Sequence, residues 1–241
     1  MTLLFFFLLG ALCSWPMQRL IVQLPADVLA GTDSETPPTT SGAANEPAPA
    51  SGAAQSQQIA RIMPLAVCNG LLWAGCAWHW PELPTAVCWA LFASGLLALS
   101  VIDWQTTLLP DALTQPLLWL GLLGSAAHLI DTPLEQSVWG AAIGWGGMWV
   151  VAQTYARMTG KEGMGAGDFK LLAALGAWLG PWALLPLVFL ASLSGAAVGL
   201  WLQARQRLHQ GLYVPFGPFL AAAGLLLAFT GHGLFFDLLS H

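Results

Sequence analysis

Two short acidic segments hold the side chains that are best suited to chemistry. The first contains Asp103 and Asp111, and the second contains Asp168. Asp103 closes one apolar segment, Asp111 opens the next, and Asp168 comes just before a shorter one. The predicted helices therefore place Asp103 and Asp168 at the same membrane boundary, although 65 positions separate them. Carboxylates beside membrane segments are costly and usually functional.

A pair of aspartates is suited to general acid–base chemistry. When two carboxylates approach each other, one keeps its proton while the other stays ionised. The ionised group takes a proton from water, and the neutral group donates one to a carbonyl oxygen. Hydrolysis of a peptide bond without a covalent intermediate needs these two transfers. Asp103 and Asp168 are the predicted catalytic residues, and because the pair titrates as a unit, the sequence does not assign acid and base.

A glycine-rich run precedes the second aspartate. Gly163, Gly165 and Gly167 alternate along the approach to Asp168. Without side chains there, an extended substrate backbone is expected to lie close to the carboxylate. No predicted strand comes before the run and no Gly-Lys-Ser/Thr follows it, so a phosphate-binding loop is not expected.

Each acidic residue also has a purely structural interpretation. Asp111 follows Pro110 and suits the N-cap of the next helix. Asp168 suits the N-cap of a helix that starts at Phe169, and Asp103 suits an interfacial helix end. The sequence leaves these alternatives open.

The composition indicates a polytopic membrane protein. Of 241 residues, 56% are hydrophobic and only 8% are charged, whereas a soluble domain carries roughly 25% charged residues. The thirteen tryptophans suit bilayer interfaces. The lipid bilayer is thus an expected partner, while nucleic acid is not, because the chain has no basic stripe. The four cysteines form no CxxC pair, so neither a metal site nor a disulfide framework is expected.

The apolar segments predict an all-α fold, a polytopic membrane helical bundle of about eight transmembrane segments. A spanning helix needs about 20 mostly apolar residues. One segment, 170–181, is too short, because twelve residues rise only about 18 Å against a hydrocarbon core of roughly 30 Å. Pro181 marks its end. The longer segments cover roughly residues 3–23, 62–80, 85–103, 112–131, 136–157, 183–204 and 215–237.

The basic residues predict the orientation. All seven Lys and Arg residues lie on one face if segments 170–181 and 183–204 cross the membrane out and back. Because short cytoplasmic loops are enriched in Lys and Arg, this face is predicted to be cytoplasmic. Both chain ends then point outward, which gives an N-out/C-out topology.

The chain divides into three predicted parts. Residues 1–24 form a first transmembrane helix, which is expected to be retained because no basic n-region precedes it. Residues 25–60 form a disordered cytoplasmic linker, since the stretch 32–56 is rich in Thr, Ser, Ala, Gly and Pro and has no aromatic residue. Residues 61–241 form the membrane-embedded core.

Three motifs resemble those of bacterial type IV prepilin peptidases, the prepilin leader peptidases of the GxGD aspartyl protease family. The run from Gly165 to Gly176 resembles the GxGD signature. The run from Asp103 to Pro116 looks like the family's other aspartate motif, and Pro215 to Leu220 is similar to its last-helix signature. The resemblance covers about residues 60–240, with the motifs in the family's order.

The resemblance implies an aspartic endopeptidase, a multi-pass protein of the bacterial inner membrane whose active site faces the cytoplasm. Its partners would be prepilins, or pseudopilins of type II secretion, from which it removes a basic leader peptide. Residue by residue, the motifs give Asp103 and Asp168 as the catalytic pair and imply no cofactor for peptidase activity. The supporting motif positions are Asp111, Gly165, Gly167 and Lys170.

The chain departs from the family at one point. Many members carry an insert with paired CxxC motifs that bind zinc, and they also methylate the new terminus with S-adenosylmethionine. Here no cysteine lies between Cys13 and Cys68. Zinc is therefore not expected, and S-adenosylmethionine is expected only if methyltransferase activity is retained. The alternatives are a bifunctional peptidase and N-methyltransferase, a catalytically inactive prepilin-binding relative, and a small transporter with a carboxylate proton relay.

Overall fold

A computed structural model describes residues 2–14, 52–160, 165–205 and 215–231. Within these ranges the chain is all-helical and has no β-strand. The helices are α1 (Thr2–Ser14), α2 (Gly52–His79), α3 (Leu83–Thr106), α4 (Asp111–Ala126), α5 (Leu134–Thr159), α6 (Ala166–Leu179), α7 (Pro181–Ala204) and α8 (Gly217–Thr230).

Two of the described helices have both the length and the apolar composition to cross a membrane. These are α3 and α7, each 24 residues long. The helices α1 and α8 are apolar but shorter. The helical class is therefore confirmed, and these two helices are candidate membrane spans.

Three predicted boundaries differ from the structure by five residues or more, and one is the end of α8, which lies at Thr230 and not at the predicted 237. Helix α2 begins at Gly52, so residues 52–60, which the sequence analysis assigned to the linker, have a helical backbone. The rest of the predicted linker lies outside the described residues. Helix α4 ends at Ala126, five residues before the predicted end at 131, and His128 then adopts a left-handed φ of 57° that turns the chain toward α5.

The short segment before Pro181 forms the centre of the bundle. Helix α6 has 14 residues, which corresponds to about 21 Å, and it ends where Gly180 adopts a φ of 80°. The prediction that this segment is too short to span a bilayer core is confirmed as a matter of helix length. Five of its side chains are fully buried: Leu171, Ala174, Leu175, Ala177 and Trp178.

Helices α5 and α6 pack backbone against backbone. A Cβ atom built on Gly140 would overlap the carbonyl of Gly176, and one built on Gly176 would overlap the carbonyl of Gly140. One turn further along α5, a Cβ on Gly144 would lie 2.7 Å from the carbonyl oxygen of Leu172. Small residues allow this close approach, which favours helix association where the surroundings are apolar.

Hydroxyl groups satisfy the carbonyls at the far end of α6. The Ala177 carbonyl would normally accept from the N–H at position 181, but Pro181 has none. Ser137 on α5 donates its hydroxyl to that carbonyl instead. Thr132, in the loop before α5, donates to the Trp178 carbonyl at 2.8 Å. The short helix is thereby fixed at the end that lies away from Asp168.

A buried polar cluster joins α1 to α2 and α3. The side chain of Asn69 is fully buried, and its amide donates to the Gly10 carbonyl at 2.8 Å. Ser94 Oγ lies 2.8 Å from Asn69 Oδ1 and also accepts a 2.8 Å bond from the Trp73 indole. Polar side chains bonded in this way hold helices together in an apolar medium.

We expect Gly140→Ala to lower the melting temperature of the purified protein in detergent. The added methyl group overlaps the Gly176 carbonyl and forces α5 and α6 apart, and overpacking of this kind typically costs roughly 1–3 kcal/mol. Gly146→Ala is the matched control on the same helix, because nothing lies within 4 Å of a Cβ there. The control should melt at or slightly above the wild-type temperature, since alanine favours helix. Equal melting temperatures for the two variants would contradict the packing argument.

Candidate active site

The end of α3 and the beginnings of α4, α6 and α8 meet on one side of the bundle. A hydrogen bond joins Asp103 on α3 to Gly217 on α8, and an ion pair joins Asp111 on α4 to Lys170 on α6. This meeting point is the candidate site. The structure thus brings together helix ends that are far apart in the sequence.

Asp103 is buried and held by the backbone of α8. Its side chain is 4% exposed, and its Oδ2 accepts a hydrogen bond from the Gly217 N–H at 2.9 Å. Helix α3 continues to Thr106, so Asp103 lies inside the last turn. The helix-end position of the alternative interpretation is therefore correct, whereas the burial of Asp103 and its bond to α8 go beyond what a solvated end residue would show.

Asp168 lies in the first turn of α6, ahead of its apolar part. Burial, together with the negative charge of Asp103, raises the pKa of Asp168 to about 6. The two carboxylates therefore sense each other's charge, although no hydrogen bond joins them among the described residues. The helix begins at Ala166 and Gly165 is its N-cap, so the alternative that Asp168 caps a helix from Phe169 is wrong.

The glycines before Asp168 have different surroundings. A Cβ on Gly167 would lie 2.8 Å from the Cβ of Leu109, in the loop between α3 and α4. Gly165 has open space around it, and Gly163 lies outside the described residues. Gly167 therefore permits contact between the α3–α4 loop and α6, while only Gly165 has the free space that was predicted for a substrate backbone.

The ion pair between Lys170 and Asp111 joins the first turns of α6 and α4. Lys170 Nζ lies 2.5 Å from Asp111 Oδ1, and both side chains are partly exposed. The N-cap of α4 is Pro110, and no side chain bonds to the first backbone N–H groups. The alternative of Asp111 as N-cap is therefore wrong, because the helix begins one residue earlier than a cap at 111 would allow.

A cleft of about 430 Å³ opens beside this site, between α4 and α5. Lys170 and Ala173 of α6 contribute to its lining, as do Gln115 of α4 and Trp145 of α5. Neither aspartate lines it, so the cleft is adjacent to the pair and does not cover it.

Gly217 is the site residue that sequence reasoning did not identify. A backbone N–H leaves no signature of its own in a sequence. The available signal was the run Pro215 to Leu220, which begins a helix on the aspartate side and has a proline on each side of Phe216 and Gly217. That run was recognised as a motif without a chemical role.

A comparison with protein families identifies the segment that carries both aspartates. A family model described as the type IV leader peptidase family matches residues 89–200. Residues 89–200 belong to the type IV leader peptidase family. The match includes Asp103, Asp111, Asp168 and Lys170, and it ends before Gly217.

Individual relatives that match this chain are named as prepilin leader peptidase/N-methyltransferases. The chain is 46% identical over 163 residues to a prepilin leader peptidase/N-methyltransferase of Stutzerimonas stutzeri, covering 67% of this chain and 56% of that protein. Proteins of the same name from Xanthomonas campestris and Pseudomonas aeruginosa are 49% and 45% identical over 140 and 156 residues. The alignments cover 58% and 64% of this chain, and 48% and 53% of those proteins.

The chain spans about half the length of the curated relatives it matches. No solved structure matches it. The comparisons therefore establish the family of the segment that carries both aspartates.

We expect Asp103→Asn to lower the pKa of Asp168. The neutral amide removes the negative charge that helps to raise this pKa to about 6. Loss of a nearby like charge lowers the pKa of a carboxyl group by about 1. The protonated carboxyl band of Asp168, identified by its loss in Asp168→Asn, reports the titration in infrared spectra. Asp131→Asn, in the loop after α4, is the control and should leave the titration unchanged. An unchanged midpoint in Asp103→Asn would contradict the coupling.

Proposed function

We propose that this protein is an aspartyl endopeptidase that removes the basic leader peptide from type IV prepilins or type II secretion pseudopilins. The observation that carries the proposal is the meeting of Asp103 and Asp168. These two carboxylates lie on different helices within the family segment, and the charge of one acts on the other. A structural pair of acids would gain nothing from being placed together, because like charges at one site destabilise each other.

The proposed reaction is water attack on the peptide carbonyl without a covalent intermediate. One carboxylate accepts a proton from water as the oxygen–carbon bond forms, and the other carboxyl donates its proton to the carbonyl oxygen. On collapse, the carbon–nitrogen bond breaks and the amine takes up the first proton. The second proton returns to its carboxyl. Each aspartate therefore ends the cycle as it began, and no cofactor is needed for these steps.

The supporting residues fix the distance between the two carboxylates. Gly167 allows the α3–α4 loop to pack on the first turn of α6, and Lys170 binds Asp111 across the same junction. Gly165, with open space around it, leaves room for the substrate backbone next to Asp168. These positions thus have structural roles around the pair and do not transfer protons.

The proposed location is the bacterial inner membrane, with the aspartates on the cytoplasmic side. Eight segments with both chain ends outside would place the meeting point of α3, α4, α6 and α8 at the face where Lys and Arg concentrate. Lys170 lies at this meeting point. Helix α6 is only about 21 Å long and cannot cross the hydrocarbon core. Its first turn therefore lies at the cytoplasmic face only if α6 enters the bilayer from the cytoplasmic side.

The proposed substrates follow from the relatives and from the position of the site. The relatives are named as prepilin leader peptidases, and a site at the cytoplasmic boundary suits a leader that is held back by its basic charge. The alternative of an inactive prepilin-binding relative lacks support from the site, because both aspartates are present and the charge of Asp103 acts on Asp168. A transporter would need a proton path across the bundle beyond this one junction.

We expect wild-type protein to shorten a co-expressed prepilin by its leader, and Asp103→Asn and Asp168→Asn each to abolish the cleavage. The amide keeps the side-chain volume but transfers no proton, and loss of a general acid or base costs on the order of a hundredfold or more. Intact mass spectrometry of the pilin reports the cleavage, and blotting of membranes reports expression of each variant.

Asp131→Asn serves as the matched control for this experiment and should cleave normally. If the two active-site variants cleave like wild type, the assignment of the pair is wrong. If several prepilins and pseudopilins remain uncut by wild-type protein, the binding-only alternative becomes the better description.

A second proposal concerns methylation of the new amino terminus. The relatives are named as N-methyltransferases as well as peptidases, but this chain has no cysteine between Cys13 and Cys68. We propose that methyl transfer from S-adenosylmethionine is lost or weak and that zinc is not bound.

We expect little label in mature pilin when purified protein is incubated with labelled S-adenosylmethionine and substrate. The relative from Stutzerimonas stutzeri, assayed in parallel, is the positive control for the reagents. Cleavage without label would support a peptidase alone. Labelling at the level of the relative would overturn the proposal and favour the bifunctional alternative.

A further inference from the structure

The first backbone N–H groups of α8 are divided between two acceptors. The first residues of a helix have N–H groups without a partner inside the helix. Here Phe219 and Leu220 both donate to the Phe216 carbonyl, at 3.1 and 3.2 Å, and Pro218 has no N–H. The N–H of Gly217 is therefore left to bond elsewhere, and it donates to Asp103 Oδ2 at 2.9 Å.

Only glycine fits at this position. A Cβ on residue 217 would lie 2.6 Å from Oδ2 of Asp103 and 3.1 Å from its Cγ. Any side chain would displace the carboxylate from the N–H that it accepts. The hydrogen bond is buried and joins residues that are 114 positions apart in the sequence. It therefore depends on the packing of α8 against α3.

From this geometry we infer that Gly217 is a positioning residue that keeps Asp103 as the ionised member of the pair. Asp103 then acts as the general base and Asp168 as the general acid. A hydrogen bond to the charged form of a carboxyl group favours that form. Here the N–H of Gly217 donates such a bond to Asp103. The inference rests on the proposed peptidase function and adds the assignment of acid and base.

The bond also selects the oxygen that reacts. Because Oδ2 of Asp103 accepts from Gly217, Oδ1 is the oxygen free to take the proton from water. That proton leaves water as the new oxygen–carbon bond forms, and the proton of Asp168 passes to the carbonyl oxygen. When the carbon–nitrogen bond breaks, Asp103 returns its proton to the amine and Asp168 recovers its own.

The surroundings of Asp168 agree with its role as acid. Among the described residues no donor bonds to its carboxyl, and burial with the charge of Asp103 raises its pKa to about 6. Asp111 and Lys170, the charged residues of α4 and α6 other than Asp168, are paired with each other. Arg157 and Arg205 lie at the ends of α5 and α7. These surroundings agree with Asp168 as the member that holds the shared proton, while the hydrogen bond from Gly217 favours the charged form of Asp103.

The test uses two variants of the full chain. Gly217→Ala pushes the carboxylate away, and replacement of Gly217 by glycolic acid exchanges the N–H for an ester oxygen without adding a Cβ. Each should reduce kcat/KM for prepilin on the order of tenfold, as expected for loss of a hydrogen bond to a charged group. Each should also move the acidic limb of the pH profile to higher pH, because Asp103 then takes up a proton more readily.

Gly224→Ala is the matched control on α8, because its Cβ would lie 2.5 Å from the Leu175 side chain of α6, seven residues along α8 from Gly217. It should lower the melting temperature without moving the pH profile. If the profiles of both Gly217 variants coincide with wild type, the inference is wrong.

A substrate-free measurement separates this inference from the proposed function. In infrared spectra recorded just below the transition of Asp168, the protonated carboxyl band should belong to Asp168 in wild type. In the glycolic acid variant Asp103 should contribute to the band. A wild-type band that belongs to Asp103 would overturn the inference even if prepilin is cleaved. The expected band in a protein that cuts no prepilin would support the assignment and reject only the peptidase function.

Discussion

The backbone contact between α5 and α6 fixes the position of the helix on which the site depends. Gly140 and Gly176 leave no room for side chains between the two helices, so the helices cannot approach more closely or accept a side chain there without a clash. Ser137 and Thr132 hold the far end of α6 through its last carbonyls. A helix of only 14 residues is thereby held rigidly in the bundle, and its first turn projects Asp168 to a defined place.

Three contacts of different chemistry complete the site around that first turn. Gly167 packs against the loop after α3, Lys170 pairs with α4, and the N–H of Gly217 fixes the carboxylate of Asp103. Neither Gly167 nor Gly217 can be replaced by a residue with a side chain without a clash at its contact. The exposed ion pair contributes less, because partly solvated pairs are worth roughly 0–1 kcal/mol. The two glycines therefore determine the geometry more strongly than the charged pair does.

Much of the helical arrangement was predictable because apolar length and proline positions have a direct physical meaning. The segment before Pro181 was recognised as too short, and the helices were placed with errors of a few residues at most ends. The larger errors were at α2, whose polar first turns carry no apolar signal, and at α4 and α8, which end early at residues with positive φ. The assignment of residues 15–51 stays a prediction, since they lie outside the described residues.

The site was predictable only as far as side chains define it. Asp103 and Asp168 were predicted as partners from their places at helix ends, and the structure brings their charges together. The N-cap interpretations of Asp111 and Asp168 failed because both residues already lie inside their helices, after N-caps at Pro110 and Gly165. Gly217 acts through its N–H and through the absence of a side chain, and neither property forms a pattern that a sequence displays.

The distance in sequence between Asp103 and its hydrogen-bond donor has a consequence for biogenesis. A ribosome completes α3 and α6 well before it reaches Gly217, so a nascent chain holds both aspartates while Oδ2 of Asp103 still lacks its donor. The arrangement of the pair is finished only when α8 joins the bundle. Completion of the candidate site is thereby timed to a late step of synthesis, and an incomplete chain would lack the ordered pair of aspartates.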